Sequence, residues 1–233
     1  MVTSSNLSAT SFVYSQTRRD SYFESILTTC VDVYHAIIDS AIQLPNDENT
    51  IRDEFLKYLQ DIYFKQSHEL KNLKFDKETC ENTGRADIRV LPTKAEYIND
   101  EEYYVIECKR LDSKKLYGTS GLNAEYVKNG ICRFVSAYYS TYYGCNAMFG
   151  FVVDHVNMEN DIVNGINSML NDTMTNDHDV EVNASVLQQM CYKDFANSYP
   201  YSYISTHTRI SDKSDKEEIV LYHLMFDFSN NII

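Results

Sequence analysis

Nothing in the 233 residues approaches the roughly 18 consecutive apolar positions of a membrane-spanning helix, which argues against a helical membrane protein. The opening MVTSSNLSATSFVYS lacks both a basic segment and an apolar one, so no secretory leader is expected. Six cysteines, at 30, 80, 108, 132, 145 and 191, form no CxxC or CxxxH pair, which argues against a structural zinc site. Reduced thiols packed as small hydrophobes in a cytoplasmic protein are the expectation. Tryptophan is absent against 19 tyrosines, a bias that codon usage explains as well as any stacking role. Basic side chains are also short, 21 against 34 acidic, for a net charge of −13. That is the wrong sign for a protein that coats nucleic acid without regard to sequence. The N-x-[ST] triplets at Asn6, Asn171 and Asn183 read as chance matches.

What is present is enough for one domain. A chain of this size with 43% hydrophobic residues can bury a sizeable core, and neither an internal repeat nor a linker divides it. Residues 1–19 are Ser/Thr-rich and aperiodic, so a flexible arm is expected there, with a single domain over 20–233. Helical spacing of Ile26, Cys30, Val33, Ile37, Ala41 and Leu44 predicts a helix over 22–44. Pro45 breaks it, Asn46 or Asp47 can cap the next, and Ile51, Phe55, Leu59 and Ile62 mark the inner face of a helix over 48–64. Strands are predicted at 70–75, 86–91 and 102–111, with the polar run 77–84 as a turn. A helix over 122–140, an apolar strand over 147–153, an amphipathic stretch over 158–170 and a hairpin of 201–210 with 219–228 complete the chain.

The strand 102–111, EEYYVIECKRL, is built to be buried at its centre, yet it carries Glu107 and Lys109 two residues apart on one face. An antiparallel hairpin would set Asp87 opposite Glu107. Two carboxylates beside a lysine make an oxygen-rich pocket suited to Mg²⁺, with the ammonium free to hold a water or balance charge on a phosphoryl group. An edge salt bridge, with Asp87 capping a turn, is the plainer alternative. Elsewhere, Ser205, His207 and Arg209 share a strand face expected to meet solvent, and His223 reads as a core histidine. Tyr138, Tyr139, Tyr142 and Tyr143 read as packing residues before base-stacking ones.

The segment Gly84-Arg85-Ala86-Asp87-Ile88-Arg89-Val90, followed by Glu107-Cys108-Lys109 in VIECKRL, resembles the PD-(D/E)XK nuclease superfamily. The order helix, three strands, helix, strand over 48–153 is similar to that family's restriction endonuclease-like αβββαβ core. The resemblance implies an α/β fold with a central mixed sheet flanked by helices, here extended by an N-terminal helix and a C-terminal β-hairpin. It implies metal ligation by Asp87, Glu107 and the Cys108 main-chain carbonyl, with a further acid from the first helix, Glu54 ahead of Glu48. Lys109 completes the catalytic set, and Tyr126, Lys128 and Arg133 on the following helix are the phosphate-binding candidates. Ala86 stands where the family often has proline. The absence of Gln-x-x-x-Tyr on that helix gives no support for the RecB-like branch.

The implied activity is Mg²⁺- or Mn²⁺-dependent hydrolysis of DNA, as in bacterial or phage-linked restriction and antiviral defence endonucleases, with RNA left open as substrate. The rival is a non-catalytic or partner-activated subunit of a larger complex, or a homodimer. Charge distribution bears on both. Residues 52–133 carry 15 basic and 15 acidic groups, whereas 134–233 carry 4 and 13. Nucleic acid is therefore expected at the neutral catalytic half, where Arg110, Lys114 and Lys115 add to the site's own cations, with weak unaided affinity.

Overall fold

The computed structural model describes residues 9–81, 84–93, 103–139, 144–210 and 217–233. Helix α1 (Ala9–Asp39) begins inside the stretch expected to be a loose arm, so the Ser/Thr-rich residues from Ala9 onward are helical. It ends earlier than the apolar spacing predicts: Ala41 takes a positive φ of 51°, and Leu44 leaves the helix to pair in parallel with Ile232. Helix α2 (Glu48–Gln60) starts where Asp47 caps it, the carboxylate accepting from Thr50 N at 2.8 Å. Asp61 then stops α2 and caps α3 (Ile62–Ser67). Ile62 is consequently exposed instead of extending the inner face of α2.

Strands β1 (Leu73–Glu81), β2 (Gly84–Pro92) and β3 (Tyr104–Leu111) form an antiparallel meander. The polar run from Lys77 is strand, not turn: it pairs along β2, since a sheet edge tolerates charged side chains that face water. From β3 the chain crosses through α4 (Leu122–Tyr126), a π turn (Val127–Ile131) and α5 (Cys132–Val135) to β4 (Cys145–Val152), which pairs in parallel with β3. The helix stops short of 140 because Ala137 turns the backbone at φ 59°. Tyr142 and Tyr143 lie outside the described residues.

A second π turn (Met158–Val163) leads into α6 (Asn164–Met169), and β5 (Met174–Thr175) with β6 (Glu181–Val182) forms a small separate hairpin. The final strands, β7 (Cys191–Tyr192), β8 (Ser202–Arg209) and β9 (Glu217–Asp227), join the main sheet because β9 pairs in parallel with β4. The result is an α/β fold around a seven-stranded mixed sheet in the order β1-β2-β3-β4-β9-β8-β7.

The central strands β3, β4 and β9 are buried on both faces and largely apolar, with Glu107, Lys109, Asn146 and His223 as buried polar exceptions. On one face α1 and α2 pack, and Phe55 of α2 lies against Phe149, Phe151, Phe226 and Phe228. On the other face lie the α4–α6 segments, with Tyr126, Ile131, Ile162 and Ile166. Four of the five described cysteines are buried and all five are free thiols. No helix among the described residues is long and apolar enough to cross a membrane.

Candidate active site

The β2–β3 pairing matches Ile88 with Ile106 in antiparallel register, and one step further along the two strands stands Asp87 beside Glu107. Its Oδ2 accepts from Cys108 N at 2.8 Å and its Oδ1 from Arg52 Nη1 at 3.0 Å. Glu107 is 1% exposed, and both of its oxygens are engaged. Oε1 accepts from Lys109 Nζ at 2.7 Å and Arg133 Nη1 at 3.2 Å, and Oε2 accepts from the Tyr139 hydroxyl at 2.8 Å. Asp87, Glu107 and Lys109 thus meet as the sequence leads one to expect.

Lys109 is the hub. Its ammonium donates to Glu107 Oε1, to the Cys108 carbonyl at 2.8 Å and to Glu48 Oε1 at 3.3 Å, and it lies 3.9 Å from Asp87 Oδ2. The helix acid at the site is therefore Glu48. Its second oxygen accepts from Arg110 N at 3.1 Å, tying the start of α2 to β3. Glu54, the first expectation, instead pairs with Lys57 on its own helix. Both acids lie on the inner side of α2, Glu54 the more buried of the two; what separates them is position along the helix, since Glu48 stands at its start, beside β3.

Burial, and then the Asp87 charge, push the Glu107 carboxyl up to about 7, against the opposing pull of Lys109 and Arg133. Burial works against the Lys109 ammonium too, but Glu107, Asp87 and Glu48 outweigh it and hold its pKa above the ordinary lysine value. Lys109 is thus a fixed cation and a hydrogen-bond donor, and Glu107 is the member of the pair that titrates.

Among the described residues no three carboxylate, histidine or cysteine side chains are arranged, as they stand, to hold a metal ion. The carboxylates turn onto Lys109, Arg52, Arg133 and Tyr139 instead. In kind, however, the donor set fits a hard divalent cation: Glu48, Asp87, Glu107 and the Cys108 carbonyl are all oxygen donors gathered around one ammonium, which stands in for a cation there. No family model, curated protein or solved structure matches the chain.

Of the phosphate-binding candidates, Arg133 reaches the cluster and Tyr126 does not. Lys128 sits half-buried on the π turn and gives the cluster no hydrogen bond among the described residues. Three contributors were not assigned to the site from the sequence. Arg52 is 1% exposed and bridges Asp87, Glu78 and Asp53, each at 3.0 Å. Tyr139, expected to pack before stacking on bases, follows the left-handed turn at Ala137 and donates to Glu107. Asp177, from the β5–β6 turn, holds the outer edge of Arg133.

Tyr126 belongs to a different network, which also buries the strand face expected to meet solvent. The Gln188 N–H donates to His207 Nδ1 at 3.1 Å, so the His207 proton is on Nε2, donated to Ser205 Oγ at 2.7 Å. The serine hydroxyl then donates to His223 Nε2 at 2.7 Å, and His223 Nδ1–H to the Tyr126 oxygen at 2.8 Å. One main-chain amide thereby fixes both tautomers. Both rings are buried, which lowers the His207 pKa to about 4. It takes His223 well below its ordinary value, with help from His207.

Neutral in the fold, these histidines bind protons more readily when the chain unfolds. Their contribution is therefore whole above the unfolded value of about 6.5 and is lost as pH falls below it, for His207 toward about 4. For His207 alone that is roughly 3 kcal/mol, at about 1.4 kcal/mol per pKa unit. Glu107 has the opposite sign, since its raised pKa adds stability as pH falls from about 7 toward 4.5. Urea unfolding of wild type and His207→Gln at pH 7 and pH 4.5 isolates the histidine share. The wild type is expected to lose more stability between the two pH values than the variant, and equal losses would refute the assignment.

Proposed function

We propose that the chain is a metal-dependent phosphodiesterase of the PD-(D/E)XK type, acting on DNA at the Glu48–Asp87–Glu107–Lys109 cluster. The observation that carries this reading is the gathering of three carboxylates and a main-chain carbonyl about the Lys109 ammonium, at the junction of the β1–β3 meander with parallel β4. A helix–three-strand–helix–strand order surrounds it, as the family resemblance implies. Glu48, Asp87, Glu107 and the Cys108 carbonyl would hold Mg²⁺ or Mn²⁺. Bound there, the cation would polarise the phosphodiester and make water a better nucleophile.

The chain's own groups have separate tasks. Lys109, permanently charged, orients a water by donating to it and stabilises charge growing on the phosphoryl oxygens. Arg133 presents a planar fork toward a phosphate, and Tyr139 fixes the Glu107 carboxylate so that it does not rotate away. Arg52 holds Asp87 in place from behind.

The test is cleavage of plasmid, linear and single-stranded DNA, and of RNA, with Mg²⁺ or Mn²⁺ and with EDTA, by wild type and Asp87→Asn. Metal-dependent cleavage by wild type that falls about 10³-fold in the variant is the expected result, the scale of losing one preorganised group. Equal cleavage by both would exclude this site. One observation favours a second reading, a partner-activated subunit: every oxygen of Asp87 and Glu107 already has a protein donor, so the resting cluster is charge-satisfied. In that case the purified chain is inactive with every substrate and acquires cleavage only with a stoichiometric partner, visible by size-exclusion chromatography.

A further inference from the structure

The Arg133 guanidinium has two working edges. Nη1 faces inward, to Glu107 Oε1 and to the Tyr139 oxygen, each at 3.2 Å. The other edge, Nε and Nη2, faces outward and is filled by Asp177, with Nε to Oδ1 at 3.3 Å and Nη2 to Oδ2 at 2.6 Å. Two parallel bonds from one guanidinium edge are what arginine offers to a carboxylate and to a phosphate alike. Exposure separates the two edges: the Asp177 side chain is 40% exposed and Glu107 only 2%. The partner on the outer edge is exposed, and the one on the inner edge is buried.

The turn that delivers Asp177 is built to do so. Asn129 of the π turn accepts from Asp177 N at 2.8 Å. Buried Asn176 accepts from His178 N and Val180 N, both at 3.0 Å, and donates to Ser136 Oγ at 3.3 Å. Tyr138 closes one flank, with Arg133 over its ring at 5.2 Å and His178 stacked on it at 4.5 Å. An exposed carboxylate is thus held on the outer edge of a cation whose inner edge touches the buried glutamate of the cluster. Partly exposed ion pairs of this sort contribute roughly 0–1 kcal/mol, so exchange with another oxyanion costs little.

We propose that Asp177 is an internal substitute for a phosphodiester: it keeps the Arg133 fork extended until a backbone phosphate of a nucleic acid strand takes its place. Arg133 then becomes the phosphate subsite next to the cluster, and Asp177 sets how tightly that subsite binds. The nucleic-acid identity of the ligand rests on the proposed nuclease function, whereas the exchange itself is a matter of oxyanion binding and is separable from it.

The experiment measures metal-free binding, in EDTA, of a labelled single-stranded oligonucleotide and of inorganic pyrophosphate to the full chain. Wild type is compared with Asp177→Asn and with Asp179→Asn, which removes the same charge from the same exposed turn. Asp177→Asn is expected to tighten both ligands by up to about fivefold, the upper end of what a partly exposed ion pair contributes. Asp179→Asn should change them less than about twofold, as remote screened charge does. The oligonucleotide's salt dependence should steepen by about 0.7 in log–log slope, as for one added phosphate contact on a single strand.

Equal effects of the two variants would overturn the proposal, since only net charge would then matter. So would an unchanged affinity in Asp177→Asn with an unchanged melting temperature. Asp177→Ser serves as the second variant should the asparagine form fold poorly, with the same expectation. If pyrophosphate tightens while wild type shows no metal-dependent cleavage of any nucleic acid, the exchange stands and the nuclease reading falls. If cleavage is present and neither ligand responds to Asp177→Asn, the reverse holds.

Discussion

Lys109→Ala is expected to lose nucleic-acid cleavage by about 10³-fold, within the range seen when a preorganised donor is removed. The same substitution strips Glu48, Asp87 and Glu107 of the cation they share, leaving Arg52 and Arg133 to balance three carboxylates. Removing one partner from a buried ionic group costs roughly 3–5 kcal/mol, so the variant should also melt earlier in EDTA. These two losses part company when a divalent cation is added. With the ammonium gone, nothing competes for the centre of the oxygen cluster, so millimolar Mg²⁺ should raise the melting temperature of Lys109→Ala more than that of wild type. Cleavage should not return with it, because the donor proposed to orient water is still missing. Melting curves with and without Mg²⁺, run beside the cleavage assay, check this. Wild-type rates in Lys109→Ala, or a melting temperature indifferent to Mg²⁺, would remove Lys109 from the centre of the site.

The second large effect concerns Arg52, whose side chain is 1% exposed and yet faces Asp53, Glu78 and Asp87 at 3.0 Å each. Arg52→Leu is close in apolar bulk but takes a cation from three carboxylates, of which Asp53 keeps Lys77 and Glu78 keeps Arg85. Asp87, at 16% side-chain exposure, is the least able of them to recover its hydration. The expected cost is about 4 kcal/mol, which for a chain of this length lowers the melting temperature by roughly 10 °C. Pairing it with Asp87→Asn should return part of the loss, since removing both partners of a buried pair is gentler than removing one. A thermal melt of the two single variants and the double decides it. An Arg52→Leu protein that melts within about 2 °C of wild type would mean that solvent already neutralises these carboxylates.

Much of the site was legible because it is written in strands. Alternation puts Glu107 and Lys109 on one face whatever surrounds them, and an antiparallel hairpin brings in Asp87 from residue spacing alone. Glu48 was legible only as the second choice, because Glu54 lies on the inner side of the same helix and only the contact with Lys109 separates the two. The helix after β3 was not. Tyr126 and Arg133 are seven residues apart, and a regular α-helix would set them on one face. The π turn between them changes the phase, so Tyr126 bonds His223 while Arg133 bonds Glu107. Arg52 was hidden for another reason: a buried arginine reads as a surface residue until its three partners, one adjacent and two on distant strands, are in place. Asp177 carries no local signal, because it reaches Arg133 only through the placement of the β5–β6 turn. The strand pair β8–β9 was visible as a hairpin. Its attachment to β4 is a parallel pairing, which hydrophobic pattern alone does not specify.

The short parallel pairing of Leu44 with Ile232 has a mechanical consequence. Leu44 N donates to Asn231 O at 2.7 Å, Ile233 N to Leu44 O at 3.0 Å, and Asn231 Nδ2 to Ile42 O at 3.0 Å. Three bonds from residues 231–233 therefore fasten the link that runs straight into Asn46, Asp47 and Glu48. Asn46 in turn receives the Arg110 guanidinium, and Glu48 the Lys109 ammonium. The last residues of the chain act as a strut under the α2 side of the cluster, so a change there would reach the carboxylates through the backbone, with no part of it near the chemistry.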